Sequence, residues 1–176
     1  METCKQTKNQ NVYEHGLSVW KYTEKILNKE WDGLNLPDWF KCNFSIITDN
    51  ICDIETIKTY NVYHDCGKPF CIEIDDEGKQ HFPNHANVSY DVWKTVSDDE
   101  TVAELISLDM VLHVETAEQI VSRNIKLKIL LTLLITAFAE LHSNAEMFGG
   151  IDSLSFKIKH KKICQRGKMI MRRYVL

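Results

Sequence analysis

Apolar residues at Leu17, Trp20, Ile26 and Leu27 recur at helical spacing and predict a first helix over residues 13–28. Gly33 and Pro37 break that pattern. Ile54, Ile57, Val62 and Cys66 predict a second helix over residues 51–65, which Gly67 and Pro69 stop. The next segment changes character. Two extended pieces, 70–74 and 79–82, flank Asp75-Asp76-Glu77-Gly78, a hairpin signal with Gly78 available for a positive φ. Helical spacing returns over 87–96, 99–114 and 116–141, the last two divided near Glu115, and Gly149-Gly150 marks the stop. Residues 155–158 look extended or irregular, and the alternation of Phe156 to Lys161 also fits an edge strand with lysines turned outward. The expected fold class is mainly α, a helical bundle with a small β-hairpin insert and a basic C-terminal segment.

Composition narrows this picture. The 176 residues are 44% hydrophobic and 26% charged, a folded globular mixture long enough to bury one core. No repeat, low-complexity tract or linker composition interrupts the chain. A single domain over 1–176 is expected, with a core at about 13–142 and a basic extension over 153–176. The polar residues 1–10 lack the apolar run of a secretory signal. The most apolar stretch, 129–139, is too short to span a bilayer and reads as a buried core helix. Six cysteines (Cys4, Cys42, Cys52, Cys66, Cys71, Cys164) include no CxxC pair. They are expected as reduced thiols of a cytoplasmic protein, with no membrane partner, rather than as a disulfide framework or a zinc site.

Charge is divided along the chain. Eight basic residues (Lys157, Lys159, Lys161, Lys162, Arg166, Lys168, Arg172, Arg173) and no acids lie between 157 and 173; removing them from the net −4 leaves −12 elsewhere. An acidic body with a basic end points to a polyanionic ligand, the bland alternative being a solvated charged face.

The candidate chemistry centres on Tyr63-His64-Asp65-Cys66-Gly67-Lys68-Pro69. A consecutive His and Asp at a helix end can both reach one metal where the chain turns away at Gly67. Imidazole nitrogen with carboxylate oxygen suits Mn²⁺, Fe²⁺, Co²⁺ or Zn²⁺. Lys68 would then stand close enough to meet an anionic phosphoryl oxygen. No phosphate loop of P-loop spacing and no G-x-S-x-G elbow is present, which argues against ATP-dependent chemistry. Trp20, Trp31, Trp39 and Trp93 are expected as core or groove wall, and His81 as a solvent-facing hairpin residue.

The run His64-Asp65-x-Gly67-Lys68-Pro69, the acidic turn 75–78 and Phe82-x-x-His85 together resemble the HD-domain phosphohydrolase superfamily. Within it they are most similar to the HD domains of bacterial tRNA nucleotidyltransferases and related nucleic-acid-end phosphatases. The resemblance implies an HD-domain helical bundle and a site of one or two divalent transition metals (Mn, Co, Ni, Fe or Zn), or Mg. Its ligands would be a first His, matched by His15, the doublet His64-Asp65, and a distant acid. Asp109 is the expected acid, with His113 one helical turn on; Glu140 is the alternative. His85 matches the His that follows the hairpin and serves a second ion or protonates the leaving oxygen. Asp65, Lys68 and His85 are thus the expected catalytic residues, and the metal would activate water for attack on phosphorus.

Two substrates remain open at this point. One is a nucleic-acid end bearing a 2′,3′-cyclic, 2′- or 3′-phosphate, bound with help from Lys68, Lys157, Lys159, Lys161, Lys162 and Arg166. The other is a free nucleotide. A non-catalytic nucleic-acid-binding protein on the same fold is the alternative outside enzymology.

Overall fold

The computed structural model describes residues 1–6 and 10–174; the last two positions of the basic extension lie outside them. The chain is mainly helical with one two-stranded antiparallel sheet, and it divides into two compact units. One comprises Met1–Leu17 and Ile54–Asp109, the other Ser18–Asp53 and Met110–Leu176. Helix α1 (Val12–Leu27) contributes its first residues to the former and the rest to the latter.

The first unit holds α4 (Ile54–Tyr63), a 3-10 turn Lys68–Phe70, strands β1 (Glu73–Ile74) and β2 (Gln80–His81), α5 (His85–Val96) and α6 (Glu100–Ser107). Helix α6 packs against both α4 and α5. The buried side chains Ile57, Tyr60, Val62, Trp93, Val102, Leu105 and Ile106 form its apolar interior. Asp99 starts α6 by accepting the Thr101 and Val102 N–H groups at 3.0 Å, which satisfies two orphan donors of the first turn. The hairpin is shorter than its sequence suggests. Glu73 pairs with His81 and Ile74 with Gln80, and Gly78 turns the chain at φ 78°. His81 lies on its surface, paired with Asp75 at 2.7 Å.

The second unit holds α2 (Asp38–Cys42), α3 (Phe44–Thr48), α7 (Val111–Val114), α8 (Ala117–Ser122), α9 (Leu127–Ser143) and α10 (Leu154–Tyr174). Helices α2 and α3 are too short to show a helical period, and the sequence pattern does not reveal them. The expected helix over 116–141 is two helices. A Thr116–Gln119 capping box starts α8, and Asn124, at φ 51°, separates it from α9. Every residue of 129–139 is buried, as a core helix requires. It ends at Ser143, before the Gly149-Gly150 stop. Among the described residues no helix is long and apolar enough to cross a membrane.

The basic segment is neither extended nor an edge strand; it is the longest helix in the chain. Six alternating residues mimic a strand, but over the whole segment Phe156, Ile163, Gly167, Ile170 and Met171 return at helical spacing and are buried. Gly167 is demanded by proximity. A Cβ there would lie 2.6 Å from the Trp39 ring and 2.9 Å from Leu134.

Two histidines clip the α1–α2 connection in this unit. The Asn35 N–H donates to His142 Nε2 at 2.9 Å, His142 Nδ1 donates to the Phe138 carbonyl at 2.7 Å, and His160 Nε2 donates to the Asn35 carbonyl at 2.7 Å. The His142 bonds require the neutral ring. Burial lowers both imidazoles from their ordinary value near 6.5. The unfolded chain therefore binds more protons just below that value, and stability is expected to be full above pH 6.5 and to fall as pH drops beneath it. Denaturant midpoints between pH 5 and pH 8 read this directly (an interval of roughly the range in which histidine titrates). The slope should flatten in His142→Gln/His160→Gln, and an unchanged slope would show that the clip does not titrate.

Candidate metal centre

Two glycines bring the site together within the first unit. Helix α1 crosses α4 so closely that a Cβ on Gly16 would stand 2.3 Å from the Val62 carbonyl oxygen. The turn after α4 approaches α5 in the same way, with a Cβ on Gly67 falling 2.3 Å from the Ser89 backbone nitrogen. Ser89, fully buried, anchors that approach: its Oγ accepts the Gly67 N–H at 2.9 Å and its carbonyl accepts the Cys66 thiol at 3.3 Å. His15 sits beside one glycine and His64-Asp65 just before the other. Backbone contact therefore carries these side chains into one place.

The ligand-type atoms of His15, His64 and Asp65 lie within 4.8 Å of one another, and all three residues are buried. Asp65 Oδ2 is 3.2 Å from His64 Nε2, 3.8 Å from His15 Nε2 and 2.6 Å from Lys68 Nζ. Its Oδ1 has no hydrogen-bond partner among the described residues and is 3.7 Å from His85 Nε2. Two of these histidines are held in the same sense by backbone carbonyls. His64 Nδ1 donates to Asn61 at 2.8 Å, and His85 Nδ1 donates to Phe82 at 3.0 Å. Each ring thereby turns Nε2 toward the carboxylate, the arrangement by which proteins orient metal-binding imidazoles. This donor set could hold a metal ion. Among the groups around Asp65, His85 has the most exposed side chain, 18%, so solvent reaches the cluster on its side.

Burial alone would push the Asp65 carboxyl up. The positive charges of His64 and Lys68, a hydrogen bond from His64 and the charge of His15 outweigh it and hold the group well below the carboxylate range. Lys68 is itself buried, donating to Asp65 and to Gln6 at 3.0 Å, with the Phe82 ring 5.3 Å from its nitrogen. Among the described residues two of its three hydrogens are thus engaged in hydrogen bonds. Cys66 is no nucleophile here. Burial, helped by the Asp65 charge, pushes its thiol up to about 11.

Asp109 is buried in the same unit but stands outside the group of three; its Oδ1 accepts the Tyr60 hydroxyl at 2.6 Å. The Tyr60 ring meets His64 edge-on at 6.2 Å, so one tyrosine touches both residues. His113 and Glu140 belong to the second unit, where they pair with each other at 3.0 Å. Lys157, Lys159, Lys161 and Lys162 are exposed on α10. Arg166 is not displayed with them. Its guanidinium is partly buried and donates to the carbonyls of Leu112 (2.8 Å), His113 (3.3 Å) and Glu115 (2.5 Å), where it caps the end of α7. Reading the sequence alone misses Tyr60, Ser89 and the carbonyls of Asn61 and Phe82. The one available signal was the placing of His15-Gly16 and Gly67 at the close approaches.

Comparison of this chain with protein-family models, with curated proteins and with solved structures returned no match.

Proposed function

We propose that this protein is an HD-type, metal-dependent phosphohydrolase acting on phosphate esters at nucleic-acid ends. The observation that carries the reading is the buried convergence of His15, His64 and Asp65, with two imidazoles oriented by carbonyls toward one carboxylate. A divalent ion bound there supplies Lewis acidity toward phosphoryl oxygen and lowers the pKa of water. Asp65 holds the ligand set together and orients the attacking water. Lys68, fixed by Asp65 and Gln6, meets an equatorial phosphoryl oxygen with its remaining hydrogen. His85, on the solvent side, donates from Nε2 as the imidazolium to the leaving oxygen, its Nδ1–H staying on the Phe82 carbonyl. Asp109, held by Tyr60 outside the group of three, is the acid that would join the ligand set when the ion binds.

The test is phosphate release by protein loaded with Mn²⁺, Co²⁺, Ni²⁺ or Mg²⁺, with Asp65→Asn as the blank. Oligonucleotides ending in 2′,3′-cyclic or 3′-phosphate are compared with mononucleotides. Turnover of the ends supports the proposal. Turnover confined to mononucleotides makes this a nucleotide phosphohydrolase instead, and silence on both leaves a binding protein on the same scaffold.

Tyr60→Phe tests the Asp109 assignment. Removing the hydroxyl takes away one hold on the Asp109 carboxylate, and metal affinity should fall roughly 10- to 100-fold, as for other losses of a ligand-orienting partner. Equilibrium dialysis measures it. Unchanged affinity would remove Asp109 from the ligand set.

A further inference from the structure

Helix α10 carries more positive charge than its fold can use. Its first turn contains no acid, yet Lys157 and Lys159 sit near that end, where the helix dipole disfavours cations. No acidic residue occurs anywhere in Leu154–Tyr174. Lys157 meets Asp152 at 3.8 Å, both exposed, and no other ion pair involves α10 lysines or arginines among the described residues. Lys157 and Lys161, and again Lys168 and Arg172, are like charges four residues apart, which destabilises a helix. A helix stabilised only by its own packing would gain from acids at these positions.

At 100° per residue the exposed cations fall into two rows flanking the docked face. Lys157, Lys161, Lys168 and Arg172 lie within roughly 60° of arc and run for roughly 22 Å along the helix; all four are exposed. Lys159, Lys162 and Arg173 occupy the other flank. The apolar face of the helix is consumed by the fold through Phe156, Ile163, Ile170 and Met171. An interfacial membrane helix needs that face for the lipid. Leu154 and Ile158 are exposed near its start, but along the rest of its length α10 presents outward a line of cations, which matches a flexible chain of phosphates.

We infer that the row Lys157, Lys161, Lys168 and Arg172 on α10 is a binding track for the backbone of single-stranded nucleic acid, read by phosphate spacing and not by base sequence. This deepens the nucleic-acid-end reading and rests on it for the identity of the substrate, but the binding itself is independent of catalysis. Arg166, held by the end of α7, is not part of the track.

The experiment follows a labelled single-stranded oligonucleotide by fluorescence anisotropy over a salt series, using full-length Asp65→Asn so that the probe survives. Each phosphate contact contributes about 0.7 to the slope of log K against log salt for single strands. Adding Lys157→Gln, Lys161→Gln, Lys168→Gln and Arg172→Gln should reduce that slope by about 3 and weaken binding at least roughly tenfold at fixed salt. Lys159→Gln/Lys162→Gln/Arg173→Gln, removing three charges from the other flank, should leave the slope within about 1 of the parent. Circular dichroism confirms that α10 is intact in both. Equal losses in the two variants would reduce the track to net charge and overturn it. Absence of oligonucleotide binding, or tighter binding to phosphatidylserine vesicles, would also overturn it. Strong, track-dependent binding alongside a wild-type chain that releases no phosphate would instead sink the hydrolase reading and leave the track standing.

Discussion

Asp65→Asn is expected to abolish phosphate release and metal uptake together while leaving the fold in place. The carboxylate is the one group near all the others: His64, His15 and Lys68 gather on Oδ2, and His85 faces Oδ1. An amide keeps the shape and an oxygen for Lys68, but it loses the charge that binds a divalent ion. Asp65→Ala is a poorer blank, because Lys68 would remain buried after losing its 2.6 Å partner. Breaking a buried pair from one side costs about 3–5 kcal/mol. Denaturation curves should therefore separate the two variants, and metal analysis after dialysis should find neither loaded. Since Asp65 is held ionised in the fold, its contribution is present above the ordinary carboxylate value of 3.8 and is lost as pH falls below it. The acid limb of the wild-type stability curve should flatten in Asp65→Asn. Full turnover in Asp65→Asn would remove this cluster from the chemistry.

Gly67→Ala is expected to cost stability and metal affinity in one step. The atoms that a new Cβ would meet are the backbone of Val88 and Ser89 at 2.3–2.7 Å, which cannot rotate aside as a side-chain tip can. Either α5 moves away or the turn carrying His64, Asp65 and Lys68 does. Overpacking of this kind costs about 1–3 kcal/mol, occasionally more. At about 2–4 °C per kcal/mol for a chain of this size, the melting temperature should drop by up to about 10 °C. Gly16→Ala meets the Val62 carbonyl at the same 2.3 Å and should behave alike, pushing His15 from the doublet. Thermal melts with and without saturating Mn²⁺ check both: the stabilisation by metal seen in the wild type should shrink in each variant. A variant that melts like the wild type would mean that the close approach is not a feature of the folded chain.

The helices α1, α4, α5 and α9 were legible from the helical recurrence of apolar residues along them, and the hairpin because Gly78 follows an acidic turn. A six-residue alternation near Lys157 and Lys159 imitates a strand in α10; the helical period of Phe156, Ile163 and Ile170 shows only over the longer segment, and burial identifies these residues as its docked face. Helices α2 and α3, at five residues each, carry too few positions for any period to appear. Arg166 was counted with the polyanion-facing lysines on charge alone, whereas the carbonyls of α7 that hold it are some fifty residues away in sequence.

By itself the sequence determined the chemistry on offer: a His-Asp doublet with a lysine behind a glycine turn, further histidines at 15 and 85, and a cationic end without acids. Those are properties of residue type and near-neighbour order, which a linear string records in full. The tertiary structure alone decided which of them meet. His15 reaches Asp65 because Gly16 admits the Val62 backbone, His85 faces the same carboxylate because Gly67 admits α5, and Asp109 is met by Tyr60 instead of standing in the group of three. Contacts between distant segments depend on atoms that touch at a few tenths of an ångström, and no local pattern of hydrophobic and polar positions encodes that fit.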